Sequence, residues 1–208
     1  MKILIVGGSR GIGLNLAKLA LEKGYSVTVM SRNASNLKLQ HPNLTKIEGD
    51  ATMLEDVEKC VDGVDVVVST IGTRKNKKNL TLFSTSTRNI LAAINGSNRL
   101  FIAVTGIGLK DTSGKIGFFY EKIKLPLFLS NIYRDKNTQE EMIKYCNTDW
   151  IIVRPAFLFD GPLTGNYKVV TDMNNLKCKR ISRMDVAHFI LNQIEKPVYL
   201  KKAVVLTY

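Results

Sequence analysis

The sequence predicts a doubly wound α/β domain built on a mainly parallel β-sheet. Short runs rich in β-branched residues alternate with amphipathic segments through the N-terminal half, which is the order of β-α-β units. Several of these runs are apolar on both faces, as strands are when helices cover both sides of a sheet. The 208 residues contain no internal repeat and no break in composition, so we expect one domain over residues 1–208.

Strands are expected wherever such a run is bounded by turn-forming residues. They lie near Ile3–Val6, Ser26–Met30, Thr45–Glu48, Asp65–Ser69, Phe101–Val104 and Trp150–Val153.

Helices are predicted from apolar residues at helical spacing. The first lies between the first two strands and ends at Gly24; its apolar residues are Ile12, Leu16, Leu19 and Ala20. A later helix begins at Ser182, with Asp185 in its first turn, and ends before Pro197. Its buried stripe is expected at Val186, Phe189, Ile190 and Ile194. The stretch Leu109–Tyr133 has no clean period, so we expect a long irregular connection there.

Composition excludes several classes of protein. Apolar residues make up 45% and charged residues 23% of the chain, which is typical of a globular domain. The apolar runs are far shorter than the ~20 residues that cross a bilayer, and the first leads into a glycine-rich motif rather than a signal-peptide cleavage site. We therefore expect a cytoplasmic protein without a membrane span. Cys60, Cys146 and Cys178 lack metal-ligand spacing, so we predict reduced structural thiols and no metal site.

A net charge of +12 indicates an anionic partner, either nucleic acid or a phosphate-rich cofactor. The basic cluster formed by Arg74, Lys75, Lys77 and Lys78 has no interleaved aromatic residues, and the chain carries no nucleic-acid motif. We interpret the cluster as a solvated loop and expect a small-molecule partner.

The sharpest motif is Gly7–Gly13, which follows the first strand and opens a helix. Gly7 permits the tight turn, Gly11 lets the backbone approach a pyrophosphate, and Gly13 lets the helix pack against the strand. The free amides and the positive end of the helix dipole then face the phosphates. The strand, motif, helix and second strand occur in the order that a dinucleotide-binding unit requires. The cofactor-binding residues predicted here are Gly7, Ser9, Arg10, Gly11 and Ile12.

The residues after the second strand favour NADP(H) over NAD(H). An NAD site usually carries an acidic residue here to bind the ribose 2′-hydroxyl, but the chain has Ser31, Arg32 and Asn33. Arg32 and Arg10 are both suited to a 2′-phosphate by the geometry of the guanidinium group.

Later strand ends complete the predicted cofactor site, because ligands of open α/β sheets bind at the carboxyl ends of strands. Asp50 is a candidate acceptor for the adenine amino group with Ala51 against the ring, although the same residues would also make a simple turn. The other candidates are Ile71, Gly72, Thr73, Thr105, Pro155, Ala156 and Phe157.

These motifs, with those after residue 130, resemble the atypical short-chain dehydrogenase/reductases whose NAD(P)-binding domain is like that of biliverdin reductase B, also called flavin reductase. The resemblance covers essentially the whole chain. It includes Gly72–Arg74, Arg134–Lys136 with Glu140, Ile152–Pro155, Asp160–Gly165 and Ile181–Ala187.

The resemblance implies a Rossmann fold and hydride transfer from NADPH to flavins and linear tetrapyrroles. The family's serine after the fifth strand aligns with Gly106, which leaves Thr105 as the nearest hydroxyl, and its histidine is replaced near Lys136–Glu140. Thr105 and Lys136 are therefore the predicted catalytic residues. The pair Tyr120 and Lys124 has the YxxxK spacing of classical relatives, but the aligned catalytic helix is Tyr133–Lys144. Lys136 and Glu140 share one face of that helix, either as a surface ion pair or in the pocket.

Three functions are compatible with this sequence. The first is an NADPH-dependent reductase acting on a flat conjugated or carbonyl acceptor. The second is a regulatory protein that senses NADP(H) without catalysis, which the missing serine and displaced tyrosine favour. The third is a sugar-nucleotide epimerase or dehydratase, although such enzymes usually need a larger C-terminal substrate domain. The proton donor, the physiological substrate and the oligomeric state stay open.

Overall fold

The computed structural model describes residues 1–73, 75–109, 129–175 and 178–208. The strands are β1 (Lys2–Val6), β2 (Ser26–Ser31), β3 (Leu44–Glu48), β4 (Val66–Ser69), β5 (Leu100–Val104), β6 (Asp149–Pro155), β7 (Phe157–Phe159), β8 (Lys168–Val170), β9 (Arg180–Ser182) and β10 (Lys202–Thr207). The helices are α1 (Gly11–Glu22), α2 (Leu54–Val61), α3 (Leu82–Ala93), α4 (Ser130–Lys144) and α5 (Arg183–Glu195).

An eight-stranded sheet forms the centre of the molecule, in the order β3-β2-β1-β4-β5-β6-β10-β8. Every pairing in it is parallel except β10 with β8. The strand order reverses between β1 and β4, and this switch point opens a crevice at the carboxyl ends of the strands. β7 and β9 form a separate two-stranded parallel sheet.

Two apolar layers cover the faces of the sheet, and strand β1 contributes side chains to both of them. Ile3 and Ile5 belong to the core beneath α1 and α5, whereas Leu4 and Val6 belong to the core beneath α2, α3 and α4. Successive side chains of a strand point to opposite faces, so a strand with helices on both sides must be apolar at every position. The predicted doubly wound α/β fold is confirmed.

The predicted strands are all present, within one residue at most boundaries. The helix predicted after β1 is α1, and Gly24 beyond its end has a φ of 80°. The prediction for α5 is also confirmed, since the Ser182 hydroxyl accepts a hydrogen bond of 2.9 Å from the amide of Asp185. The predicted irregular connection Leu109–Tyr133 is wrong at its end, because α4 begins at Ser130.

Some expectations fall outside the described residues. They concern Tyr120, Lys124, Arg74 and the remainder of the long connection, residues 110–128.

Candidate cofactor and substrate site

The glycine loop after β1 has the backbone that its sequence predicts. Gly7 and Gly11 have φ values of 87° and 59°, in the left-handed region that favours glycine. A Cβ on Gly13 would lie 2.4 Å from Thr70 Oγ1 and 2.7 Å from the Cα of Gly8. Glycine at position 13 therefore allows α1 to pack directly against the strand ends.

The N-terminus of α1 lacks the compensation found at the other helices. Within the described residues, no side chain caps it and its first turn carries no acidic residue. In contrast, α2 has Glu55 and Asp56 in its first turn, and α5 is capped by Ser182. Free amides and an uncompensated dipole at a helix N-terminus attract anions. The loop and helix therefore fit the pyrophosphate of a dinucleotide.

α3 and α4 are capped from a distance by side chains of other segments. The Asp135 carboxylate in α4 accepts hydrogen bonds from the amides of Phe83, at 2.8 Å, and Ser84, at 3.2 Å, at the start of α3. The Asn76 side-chain oxygen accepts from the amides of Asn131 and Ile132, both at 3.1 Å, at the start of α4. α1 thus differs from all four of the other helices in the described chain.

A basic cleft of about 640 Å³ lies beside the glycine loop, between α1 and the segment after β2. Arg10, Lys18 and Lys38 supply its charge, and its remaining lining residues are Ser9, Leu14, Asn33, Asn36, Leu37 and Leu39. Arg32 is exposed at the end of β2. Next to it, the buried hydroxyl of Ser31 has no hydrogen-bond partner within the described residues. This set of cations fits a ribose 2′-phosphate.

Lys18 and Lys38 are additions to the predicted cations. The signal for Lys18 is its spacing, since it follows Arg10 and Leu14 at intervals of four residues on one face of α1. Lys38 carries no comparable signal, because its position depends on the turn after β2.

The ends of β3 and β4 place the next predicted residues along the crevice. Asp50 Oδ1 accepts hydrogen bonds from the amide and the hydroxyl of Thr52, at 3.0 and 2.8 Å, so Asp50 makes the simple turn that its sequence allowed. Ala51 is buried beside it. After β4, the amide of Ile71 lies 3.1 Å from where a Cβ on Gly7 would be. Thr70 and Ile71 therefore border the glycine loop directly.

A second cleft, of about 220 Å³, lies at the carboxyl ends of β5 and β6. It brings together the predicted residues Thr105, Lys136, Pro155, Ala156 and Phe157, with Gly106, Ile107, Tyr133 and Leu158 completing the lining.

Lys136 contributes a cation to this cleft. Its ammonium donates a hydrogen bond of 2.6 Å to the backbone carbonyl of Thr105 and lies 4.8 Å from the centre of the Phe83 ring. Burial lowers the pKa of Lys136 from 10.5 to about 8, although the nearby carboxylates of Glu140 and Asp135 oppose the shift. Desolvation disfavours the charged amine, so this lysine can release a proton near neutral pH.

A buried ion pair lies behind Lys136. Arg154 is fully buried, and its Nε and Nη2 atoms donate to Glu140 Oε1 and Oε2 at 2.9 and 2.5 Å. The Thr105 hydroxyl donates to Glu140 Oε1 at 2.6 Å. Glu140 is therefore part of an internal network rather than of a surface ion pair with Lys136. Thr105 lines the cleft, but its hydroxyl hydrogen is directed at a carboxylate, and its carbonyl orients the lysine.

Comparison with known proteins identifies the family. A family model described as NAD(P)H-binding matches residues 7–197. A 3-beta-hydroxysteroid dehydrogenase from Mycolicibacterium neoaurum is 41% identical over 69 residues, which are 33% of this chain and 19% of that protein. The chain thus matches about a fifth of that curated relative.

Solved structures share the fold over the whole chain. A short-chain dehydrogenase/reductase from Veillonella parvula in complex with NADP superimposes with a TM-score of 0.84 at 18% identity, covering 100% of this chain and 94% of that one. ChuY, an anaerobilin reductase from Escherichia coli O157:H7, superimposes with a TM-score of 0.81 at 22% identity, covering 100% and 97%.

The helices of the described residues include none that is both long and apolar enough to span a bilayer. Since the family model covers most of the chain, the resemblance to NAD(P)-binding reductases and the predicted nicotinamide cofactor are confirmed. The chain belongs to the family of NAD(P)H-binding Rossmann-fold proteins.

Proposed function

We propose that this protein is an NADPH-dependent reductase that passes a hydride to a flat conjugated or carbonyl acceptor of the flavin or biliverdin type. The observation that carries the proposal is the Lys136 ammonium in the cleft at the ends of β5 and β6. This cleft lies on the same edge of the sheet as the glycine loop. A cofactor anchored at the loop and extended across the strand ends reaches it. The oxidoreductase class is supported by the NAD(P)H-binding family and by the relatives named as reductases and dehydrogenases.

The preference for NADPH rests on charge at the end of β2. Arg32 and Arg10 are the residues proposed to bind the 2′-phosphate. Arg10 lines the basic cleft together with Lys18 and Lys38, and Arg32 is exposed next to Asn33, another residue of that lining. Arginine binds phosphate oxygens through two parallel N–H groups. The residues after β2, Arg32 and Asn33, offer no carboxylate for the 2′-hydroxyl of NADH.

In the proposed reaction, the bound cofactor supplies the hydride. The acceptor gains that hydride at one atom and a proton at a second atom, and we assign the proton to Lys136. The Thr105 carbonyl holds the ammonium in place, and the lowered pKa lets the amine give up its proton and regain one from solvent. Thr105 is a positioning residue in this scheme. Phe157 and Leu158 provide an apolar wall for a planar acceptor.

One observation favours the alternative of an NADP(H)-sensing regulatory protein. The Thr105 hydroxyl is bonded to buried Glu140, and the next residue is Gly106, so residues 105–109, the described part of the segment directly after β5, present no free hydroxyl to a substrate. A sensor would bind NADPH tightly without consuming it.

The two functions are separated by following NADPH absorbance with purified protein and a panel of flavins, biliverdin and quinones. Turnover of any acceptor supports the reductase if it falls about 100-fold or more in a Lys136→Met variant that still binds NADPH. Tight binding of NADPH without turnover across the panel would support the sensor and refute the proposal.

A further inference from the structure

Arg183, the first residue of α5, lies against the glycine loop. Its Cδ and Nε atoms are 3.6 and 3.8 Å from the position that a Cβ on Gly11 would occupy. This proximity arises because α5 packs beside α1 on the same face of the sheet, so the two helices begin next to each other. Its side chain is 25% exposed, so the guanidinium is neither fully buried nor free in solvent.

The Arg183 guanidinium pairs with a solvent-exposed carboxylate. Arg183 Nη1 lies 2.9 Å from Asp160 Oδ1, and the Asp160 side chain is 90% exposed. Exposed ion pairs contribute little to stability because water competes for both charges. The guanidinium can therefore exchange this carboxylate for a more strongly charged anion at the glycine loop.

We propose that Arg183 is a cofactor-binding residue that contacts the pyrophosphate from the α5 side, opposite the free amides of α1. The proposal rests on the cofactor lying at the glycine loop, as proposed above. A guanidinium beside Gly11 is suited to this group because phosphate oxygens match its planar set of donors. Arg183 therefore differs in role from Arg10 and Arg32, since the pyrophosphate is common to NADPH and NADH.

The test is the dissociation constant of each cofactor, measured by titration calorimetry on the intact chain. Arg183→Met should weaken the binding of NADPH and of NADH by the same factor, about tenfold or more, because one charge-assisted hydrogen-bonding group is lost from both complexes. The ratio of the two constants should stay at its wild-type value.

Arg180→Met is the matched control. Arg180 is an exposed arginine whose guanidinium stacks 4.3 Å from the centre of the Phe159 ring, so its loss removes the same charge from the same region. We expect both dissociation constants to stay within twofold of wild type.

Asp160→Asn separates a phosphate contact from a purely structural ion pair. If Arg183 binds phosphate, removal of its competing carboxylate leaves the affinity unchanged or raises it. An Asp160→Asn variant as weak as Arg183→Met would show that the ion pair alone matters, and would overturn the proposal.

Two further results would also refute the role of Arg183. One is a change within twofold in Arg183→Met, and the other is a loss confined to NADPH. A wild-type protein that binds neither nucleotide would refute the proposed cofactor site as a whole. An Arg183→Met variant that binds both nucleotides as tightly as wild type would refute only the role of Arg183.

Discussion

Replacement of Lys136 by methionine tests the proposed proton donor. Methionine keeps an unbranched apolar chain of similar length but removes the ammonium that bonds to the Thr105 carbonyl. General-acid catalysis typically contributes about 100-fold to 10,000-fold to a rate, so kcat should fall by that factor. The dissociation constant of NADPH should change little, because the ammonium lies at the β5 and β6 ends rather than at the glycine loop.

The pH dependence of the wild type gives a second measure of the same group. With a pKa of about 8, Lys136 is about nine-tenths protonated at pH 7 and about one-tenth protonated at pH 9. Turnover should therefore be level below pH 7 and fall about tenfold per pH unit well above pH 8. The Lys136→Met variant should have a low turnover that does not fall further above pH 8. Wild-type turnover that stays level to pH 9.5, or a Lys136→Met variant within threefold of wild type, would refute the reasoning.

The contribution of Lys136 to the stability of the protein should increase over the pH range in which the activity falls. Between pH 8 and 10.5 the unfolded chain holds a proton on Lys136 that the folded chain has released. Since the unfolded state then binds more protons, the contribution of Lys136 to the free energy of unfolding increases with pH. Urea titrations of wild type and Lys136→Met at pH 7.5 and 9.5 measure this difference, and equal pH dependence in both would contradict the lowered pKa.

Three further substitutions test other parts of the site. Arg32→Asp should weaken NADPH binding about 30-fold and leave NADH nearly unchanged, because it removes a charged phosphate contact; equal wild-type affinities for both cofactors would contradict the assignment. Gly11→Val should abolish the rise in melting temperature caused by NADPH, since φ is 59° at this position and the valine side chain would occupy the space of the pyrophosphate. A rise in melting temperature as large as that of the wild type would refute this. Glu140→Gln should destabilise the fold by about 3 kcal/mol or more in urea, because it removes the negative charge that faces buried Arg154, and a smaller loss would show that this ion pair is dispensable.

The sequence predicts the positions of the central strands and of their carboxyl ends well, for two physical reasons. Strands covered on both faces, such as Ile3–Val6, must be apolar at every position, which makes them visible in a single sequence. The carboxyl ends of neighbouring parallel strands meet at one edge, so the sequence alone predicts that Thr105 and Pro155–Phe157 lie close together, and they line one cleft.

The remaining features depend on contacts between distant segments. The cap that Asp135 provides for α3 and the pair between Glu140 and Arg154 arise only when α4 packs beside α3 and β6. The proximity of Arg183 to Gly11 likewise depends on α5 packing beside α1. The short strands β7 to β9, of three residues each, lack the length that makes a hydrophobic pattern recognisable.

The anchoring of α4 has a consequence for changing the acceptor by protein engineering. Lys136 lies between Asp135, which binds the start of α3, and Glu140, which binds Arg154. Substitutions along α4 would disturb the fold and the chemistry together. The residues of α4 that line the cleft are therefore poor positions for a mutant library. Leu158, an exposed lining residue on the three-residue strand β7, takes part in neither of these bonds. A library restricted to position 158 can therefore vary the shape of the acceptor pocket while the ammonium stays in place.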